Sequence, residues 1–321
     1  MLRPTQENIM SAADRISKFQ DTTPCVLQSG LSEIIGTETY AKIEYLNPVR
    51  SFKLRGAVNL VQQLAESKNI SRVLTASTGN HGAAMSFACR EFGMPITVGV
   101  PVNADRRKTE LIAEFGGQLE FLGNDLDDTK EHMLKDPLDP GHIFIEDGSS
   151  PEIVAGTATI GLEILAQVED LDTLIIPVGN GALIGGIGTL VKEKNPDIKV
   201  IGIQAELASC MALSFKAGRP IDTKSCATFA GGMAVRVAIP EAVDLLLDVV
   251  DEMLVVSEDE MKRAMVLYYR CTQEIVEGAG AAALAAALRY PEKMQNQTIC
   301  LIATGANVDP QLKQDIFGHL D

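Results

Sequence analysis

Arg72-Val-Leu-Thr-Ala-Ser-Thr-Gly-Asn-His-Gly82, running on into Ala83 to Phe92, decides the fold. A β-branched apolar run passes into a turn rich in glycine and hydroxyls, then into a helical pattern. The same order recurs twice. Ile96-Thr-Val-Gly-Val-Pro runs through Asn103-Ala-Asp into Arg106 to Phe115. Thr173-Leu-Ile-Ile-Pro-Val runs through Gly179-Asn-Gly-Ala into Leu183 to Lys194, and Lys199-Val-Ile-Gly-Ile-Gln follows almost at once as another strand. Strands separated by helices of this length need crossover connections, so the sheets are mainly parallel. Near-continuous apolar strands such as Leu174-Ile175-Ile176 fit sheets covered on both faces. The fold class is α/β.

Residues 125–151 look like loop. They hold prolines at 137, 140 and 151 and the turn-forming run Asp147-Gly-Ser-Ser-Pro. With βα units on both sides, this stretch reads as a crossing between two lobes. The expected division is a large lobe of residues 1–71 and 148–321 and a small, mobile lobe of residues 72–147. Ala279 to Leu288 is rich in alanine, too short to span a membrane, and reads as a buried helix.

Composition excludes several classes. The chain has 321 residues, 46% of them hydrophobic, too apolar for a disordered protein. Its formal net charge of −15 repels nucleic acid and anionic membrane surfaces, so neither is an expected partner. Six cysteines, at 25, 89, 210, 226, 271 and 300, form no CxxC pair, and four histidines show no HxxxH spacing. Neither a disulfide framework nor a metal centre is expected. Met1 to Pro24 lacks the apolar core of a secretion signal. These features point to a reducing, cytoplasmic setting.

Four segments carry chemistry. In Asn47-Pro-Val-Arg-Ser-Phe-Lys-Leu-Arg-Gly-Ala, the apolar residues Leu54, Ala57, Val58, Val61, Leu64 and Ala65 follow helical spacing. Lys53 then sits at a helix start, where the dipole disfavours a cation, and Arg55 is expected to add positive charge beside it. A neutral amine is what Schiff-base chemistry needs; an exposed lysine indifferent to its helix end fits the segment as well. Ser77-Thr-Gly-Asn-His-Gly offers helix-start amides and hydroxyls to an anion, or simply caps the helix. Pro177-Val-Gly-Asn-Gly-Ala-Leu-Ile-Gly-Gly lets backbone amides approach a phosphate. It departs from GxGxxG at Ile184, yet Glu206 ends the following strand as a dinucleotide site would want, so a nicotinamide-dependent oxidoreductase stays open on this loop alone. In Leu301-Ile-Ala-Thr-Gly-Ala-Asn-Val-Asp, the Thr304 hydroxyl at a strand end can bond a ring nitrogen or cap a turn.

Taken together, Ser51-Phe-Lys-Leu-Arg-Gly-Ala, Ser77-Thr-Gly-Asn-His-Gly, Pro177-Val-Gly-Asn-Gly-Ala-Leu-Ile-Gly-Gly, Glu277-Gly-Ala-Gly-Ala and Thr304-Gly-Ala-Asn-Val-Asp resemble the fold-type II pyridoxal-phosphate enzymes, and within them the serine/threonine dehydratase–serine racemase family. The resemblance runs from about Thr22 to Asp309 and implies a two-lobed, tryptophan synthase β-like architecture. It implies that Lys53 forms the Schiff base with the cofactor and acts as catalytic base. Phe52 would pack beside pyridoxal 5'-phosphate, and Asn80 would bond its 3'-oxygen. Gly179, Asn180, Gly181, Ala182 and Leu183 would hold its phosphate. Gly232 and Glu277 would lie near its ring, and Thr304 would face its pyridine nitrogen. Ser77, Thr78, Gly79 and His81 would line the substrate-carboxylate site. A neutral hydroxyl at the ring nitrogen makes a shallower electron sink than an aspartate, which favours prompt β-elimination over transamination. The implied activity is dehydration and deamination of L-threonine or L-serine to a 2-oxo acid and ammonia, by a homodimer acting on a small amino acid.

This chain departs from the family pattern at several places. Asn180 interrupts what is often an unbroken glycine run, as in threonine synthase-like β-replacement enzymes. Thr78 stands where racemases carry a serine as acid/base on the opposite cofactor face, so Thr78 is a second catalytic candidate and racemisation an alternative. Leu-Ala-Ser-Cys-Met-Ala after Glu206 lacks the further carboxylate of metal-binding members, so no metal is expected. Gly231 stands where aspartate is usual, and Thr157-Ala where Gln-Gly is usual, which leaves room for an atypical substrate. The chain ends at Asp321, so no feedback-regulatory domain is expected.

Overall fold

The computed structural model describes residues 2–104 and 106–318, and the side chains of all of these but 106–108. Met1, Asp105 and residues 319–321, which belong to the expected lobes and to the Asn103-Ala-Asp turn, lie outside the described residues. The described residues form ten strands, β1 (Cys25–Leu27), β2 (Glu38–Ile43), β3 (Arg72–Ala76), β4 (Ile96–Val100), β5 (Gln118–Phe121), β6 (His142–Phe144), β7 (Thr173–Pro177), β8 (Lys199–Ala205), β9 (Glu252–Val256) and β10 (Thr298–Ala303). They form a six-stranded sheet ordered β1-β2-β10-β7-β8-β9 and a four-stranded sheet ordered β5-β4-β3-β6. Every pairing is parallel except β1 with β2. The α/β class with mainly parallel sheets is as the sequence implies. Every residue of β4 and of β7 is buried, as strands covered on both faces must be.

The three strand–turn–helix units form with small shifts. Their helices span Asn80–Glu91, Arg106–Glu114 and Ala182–Lys194. The Ala-rich stretch is the Gly278–Arg289 helix, buried from Gly278 to Ala287 and packed under the six-stranded sheet. The Lys53–Ser67 helix packs backbone to backbone on the Pro151–Gln167 helix: a Cβ on Gly156 would fall 2.7 Å from Gly56 Cα and from the Arg55 carbonyl. That approach fixes the helix that begins with Lys53.

One stretch differs from its sequence reading. Residues 125–151 are not all loop. Asp125 caps a Leu126–Met133 helix by accepting from the Asp128 amide at 2.8 Å, and β6 adds to the edge of β3. A three-residue strand following two prolines gives too little periodicity to recognise. All six cysteines are free thiols, and Cys25 Sγ lies 3.5 Å from Cys300 Sγ.

Candidate active site

The carboxyl ends of β2, β10 and β7 point toward one region, the place where open parallel sheets bind ligands. Three local structures meet there. Ser51 bridges to Gly305, and the Phe52 amide donates to the Thr304 carbonyl at 3.0 Å, which sets the first residue of the Lys53–Ser67 helix against the end of β10. Past β7 the chain turns through Gly179-Asn-Gly into the Ala182–Lys194 helix, with Gly181 at φ +100°. The third is the turn from β3 into the Asn80–Glu91 helix, where Ser77 Oγ accepts from the amides of Gly79 (3.2 Å) and Gly82 (3.0 Å).

Together they enclose a cavity of about 850 Å³. It is lined by every site residue inferred from sequence except Ala182. Ala182 begins its helix beside the cavity, its amide 3.4 Å from Asn180 Oδ1. Glu206 does not line it; Arg289 holds that carboxylate at 2.8 Å and also Glu260 at 2.8 Å. The acidic residue a dinucleotide would need is therefore elsewhere. Among the described residues, no group of three or more His, Cys, Asp or Glu is placed to hold a metal ion.

Lys53 does not stand as the sequence suggests. Its Nζ lies 4.9 Å from the Phe52 ring centroid and donates to Asp147 Oδ2. Arg55 adds no charge there. Residues two apart on a helix point about 200° apart, and Arg55 turns into a buried cluster. It donates to Glu44 at 2.7 and 2.8 Å and to Glu163 at 2.7 and 2.8 Å, with Thr23 and Thr159 alongside. Burial pulls against the guanidinium, but Glu44 and Glu163 more than offset it and hold its pKa above the ordinary value.

Asn80 Nδ2 donates to both Glu277 oxygens, at 2.9 and 3.1 Å, and its Oδ1 accepts from Asn307 Nδ2 at 2.8 Å. Burial pushes the Glu277 carboxyl up to about 7, against the pull of Asn80, the Asn307 amide and the Lys53 charge. His81 is buried, its Nε2 3.1 Å from Thr75 Oγ1 and its Nδ1 3.5 Å from Asp147 Oδ1. Burial lowers its pKa, Lys53 adding to the effect and Asp147 opposing it, so the ring is neutral near pH 7. Thr78 is half-buried, and Gly79 is exposed at the mouth.

Two features test whether pyridoxal phosphate fits. Thr304 is 2% exposed, and its Oγ1 has no hydrogen-bond partner. A buried hydroxyl left unpaired is costly, and a ring nitrogen would satisfy it. Backbone also meets backbone at the glycine turn: a Cβ on Gly179 would fall 2.6 Å from the Gly232 carbonyl oxygen. The turn therefore admits no side chain at Gly179, and the Ala182–Lys194 helix start beside it has the dipole and amides that suit an anion. The residues fit the group. Sequence reasoning missed Asp147 and Asn307, which reach the site from loops and carry no local periodic signal.

The fold and this site define a two-sheet α/β enzyme whose cavity brings together a lysine, a glycine turn at a helix start and a buried, unpartnered threonine hydroxyl. The pattern of the pyridoxal-phosphate dependent enzymes matches residues 16–305, and the chain belongs to that family. It is 33% identical over 305 residues to an L-threonine ammonia-lyase of Thermotoga maritima, covering 95% of this chain and 76% of the relative. It is 31% identical over 317 residues to the catabolic L-threonine dehydratase of Escherichia coli K12, covering 98% and 96%. The structure of maize serine racemase superposes with a TM-score of 0.91 at 29% identity, covering 99% of this chain and 98% of the other. The processed form of threonine deaminase isoform 2 from Solanum lycopersicum superposes with a TM-score of 0.89 at 30% identity, over 98% and 90%.

Proposed function

We propose that this enzyme removes water and then ammonia from a β-hydroxy amino acid, L-threonine or L-serine, leaving a 2-oxo acid. The observation that carries the reading is the meeting, in one cavity, of Lys53, the glycine turn and the unpartnered Thr304 hydroxyl; relatives named for threonine dehydration support it. Bound pyridoxal phosphate supplies the electron sink that makes the substrate Cα–H acidic. The amides from Gly179 to Leu183 would hold its phosphate, Phe52 would pack beside its ring, and Asn80, Gly232 and Glu277 would flank it. Thr304 would offer the ring nitrogen a neutral hydroxyl, a shallower electron sink than a carboxylate would give, which favours elimination. Ser77, Thr78, Gly79 and His81 form the segment that receives the substrate carboxylate at a helix start. Lys53 Nζ takes the Cα proton and returns a proton to the departing β-hydroxyl, which leaves as water. The released enamine hydrolyses to the 2-oxo acid and ammonia.

Residues 72–147, which contain the four-stranded sheet, act in this reading as a lobe that closes on the substrate and excludes water. Exposed Val26 and Leu27 on the edge strand β1, with Ile34 and Leu46, support a homodimer. Free thiols at all six cysteines support a cytoplasmic setting. A second reading, racemisation, is favoured by one observation: the Thr78 hydroxyl lines the same cavity as Lys53, in a chain similar to maize serine racemase.

The test is to assay 2-oxo acid release from L-threonine and L-serine while following the chirality of unreacted substrate. Oxo acid release with retained chirality is expected. Absence of oxo acid from every β-hydroxy amino acid tried overturns the elimination reading, and loss of chirality without it selects the racemase.

A further inference from the structure

Asp147 lies in the Asp-Gly turn that follows β6, 94 residues from Lys53 in sequence, yet its carboxylate meets the lysine ammonium. The turn is built to hold it there. Gly148 has φ +96°, and a Cβ at that position would fall 2.5 Å from Asn180 Cγ. Asn180 Nδ2 donates to the Asp147 carbonyl at 2.5 Å. So the asparagine that interrupts the glycine turn spends its amide on the backbone of Asp147.

Glu110, Glu114, Asp309 and Asp315 line the same cavity, and three further groups bear on this pair. From the Asn80–Glu91 helix comes His81, neutral and 3.5 Å from Asp147 Oδ1. Glu277, at the head of the Gly278–Arg289 helix, faces the same region and is held by Asn80. On the helix that starts with Lys53, Arg55 is neutralised by Glu44 and Glu163. Burial alone would push the Asp147 carboxyl up; the Lys53 charge and the hydrogen bonds from Lys53 and Asn180 hold it down at about 2. Asp147 is thus a permanent anion, and Lys53 is its cationic partner.

We propose that Asp147 is a catalytic counter-charge: it receives the Lys53 ammonium whenever the amine is free, with Asn180 as the residue that positions it. This rests on Lys53 being the base of the proposed reaction. When Lys53 removes the Cα proton, the C–H bond breaks, its electron pair stays with the carbon framework, and the new N–H bond makes an ammonium. A fixed carboxylate at hydrogen-bonding distance stabilises that ammonium as it forms, more strongly in a closed cavity than in water. The same carboxylate opposes the other task of Lys53. Condensing with an aldehyde requires Lys53 Nζ to be free, and Asp147 holds that nitrogen, so the carboxylate slows capture of the cofactor.

The two effects have opposite signs, and the experiment reads both. Apo-protein is mixed with pyridoxal phosphate between pH 6 and 9 and capture followed by absorbance, with borohydride trapping as the check. Separately, exchange of the Cα hydrogen of L-alanine into D₂O is followed by NMR, which needs no leaving group and does not depend on the elimination reading. For Asp147→Asn, capture at pH 7 is expected to quicken by ~3- to 10-fold, while Cα exchange slows by ~10- to 100-fold. Asp147→Glu keeps the charge and should keep wild-type capture. Asn180→Gly should shift both rates in the Asp147→Asn directions by less, and stands in should Asp147→Asn fail to fold. Capture and exchange that fall together, or capture unchanged at every pH, overturn the proposal.

Discussion

Asn80 and Glu277, 197 residues apart in sequence, are joined by two hydrogen bonds of 2.9 and 3.1 Å from one amide nitrogen to both carboxylate oxygens. The pair clamps the Asn80–Glu91 helix, which follows β3 of the four-stranded sheet, to the Gly278–Arg289 helix beneath the six-stranded one. Asn307 completes the clamp from the loop after β10.

Glu277 makes this clamp sensitive to pH. Its folded-state pKa, about 7, is raised above the ordinary value of 4.5, so the folded protein favours the protonated acid. The stabilisation is fully present below pH 4.5 and is lost as pH rises through 7. From about 1.4 kcal/mol per pKa unit, the loss is on the order of 3 kcal/mol. Urea unfolding of apo-protein at pH 4.5 and pH 8 should show wild type losing that much relative to Glu277→Gln. Parallel behaviour of the two proteins contradicts the assignment.

The buried cluster under Lys53 is a stability element. Arg55→Leu leaves Glu44 without a cation in contact, and Glu163 with only Lys42, at 2.5 Å. Removing one partner of a buried ion pair costs about 3–5 kcal/mol. Chemical denaturation should show a loss of that size, and a loss below about 1 kcal/mol would mean that water reaches the carboxylates.

Thr304→Val separates cofactor binding from folding. Its hydroxyl has no partner in the protein, so removing it should change apo-protein stability by about 1 kcal/mol or less, and in the stabilising direction. Affinity for pyridoxal phosphate should fall and the absorbance band of the bound form should shift. A large loss of apo stability with an unchanged spectrum contradicts the placement of Thr304 at the ring.

Gly179→Ala tests the cradle. The added Cβ would fall 2.6 Å from the Gly232 carbonyl, so the turn must move away from its neighbour. Equilibrium dialysis with pyridoxal phosphate should show affinity reduced by ~10-fold or more. Unchanged affinity means that the turn is not the phosphate site.

Much of this was legible before the structure because it is local. The glycine turn, the Ser77–His81 turn and the start of the Lys53 helix each lie between one strand and one helix, and strand–turn–helix order is written in consecutive residues. Long-range partners were not legible. Nothing in Asp147-Gly-Ser-Ser-Pro distinguishes a carboxylate that reaches Lys53 from an ordinary turn. Arg55 could have been placed: two residues on a helix point to opposite faces, so a guanidinium at 55 had to face away from an amine at 53. Leu126–Met133 carried its capping signal in Asp125, hidden among prolines that read as loop.

The most direct test of the central claim is borohydride reduction of the holoenzyme followed by peptide mass mapping. The phosphopyridoxyl group is expected on the peptide containing Lys53, with no label incorporated by Lys53→Ala. Label on another lysine, or a Lys53 peptide that stays unmodified while the cofactor band is bleached, would contradict it.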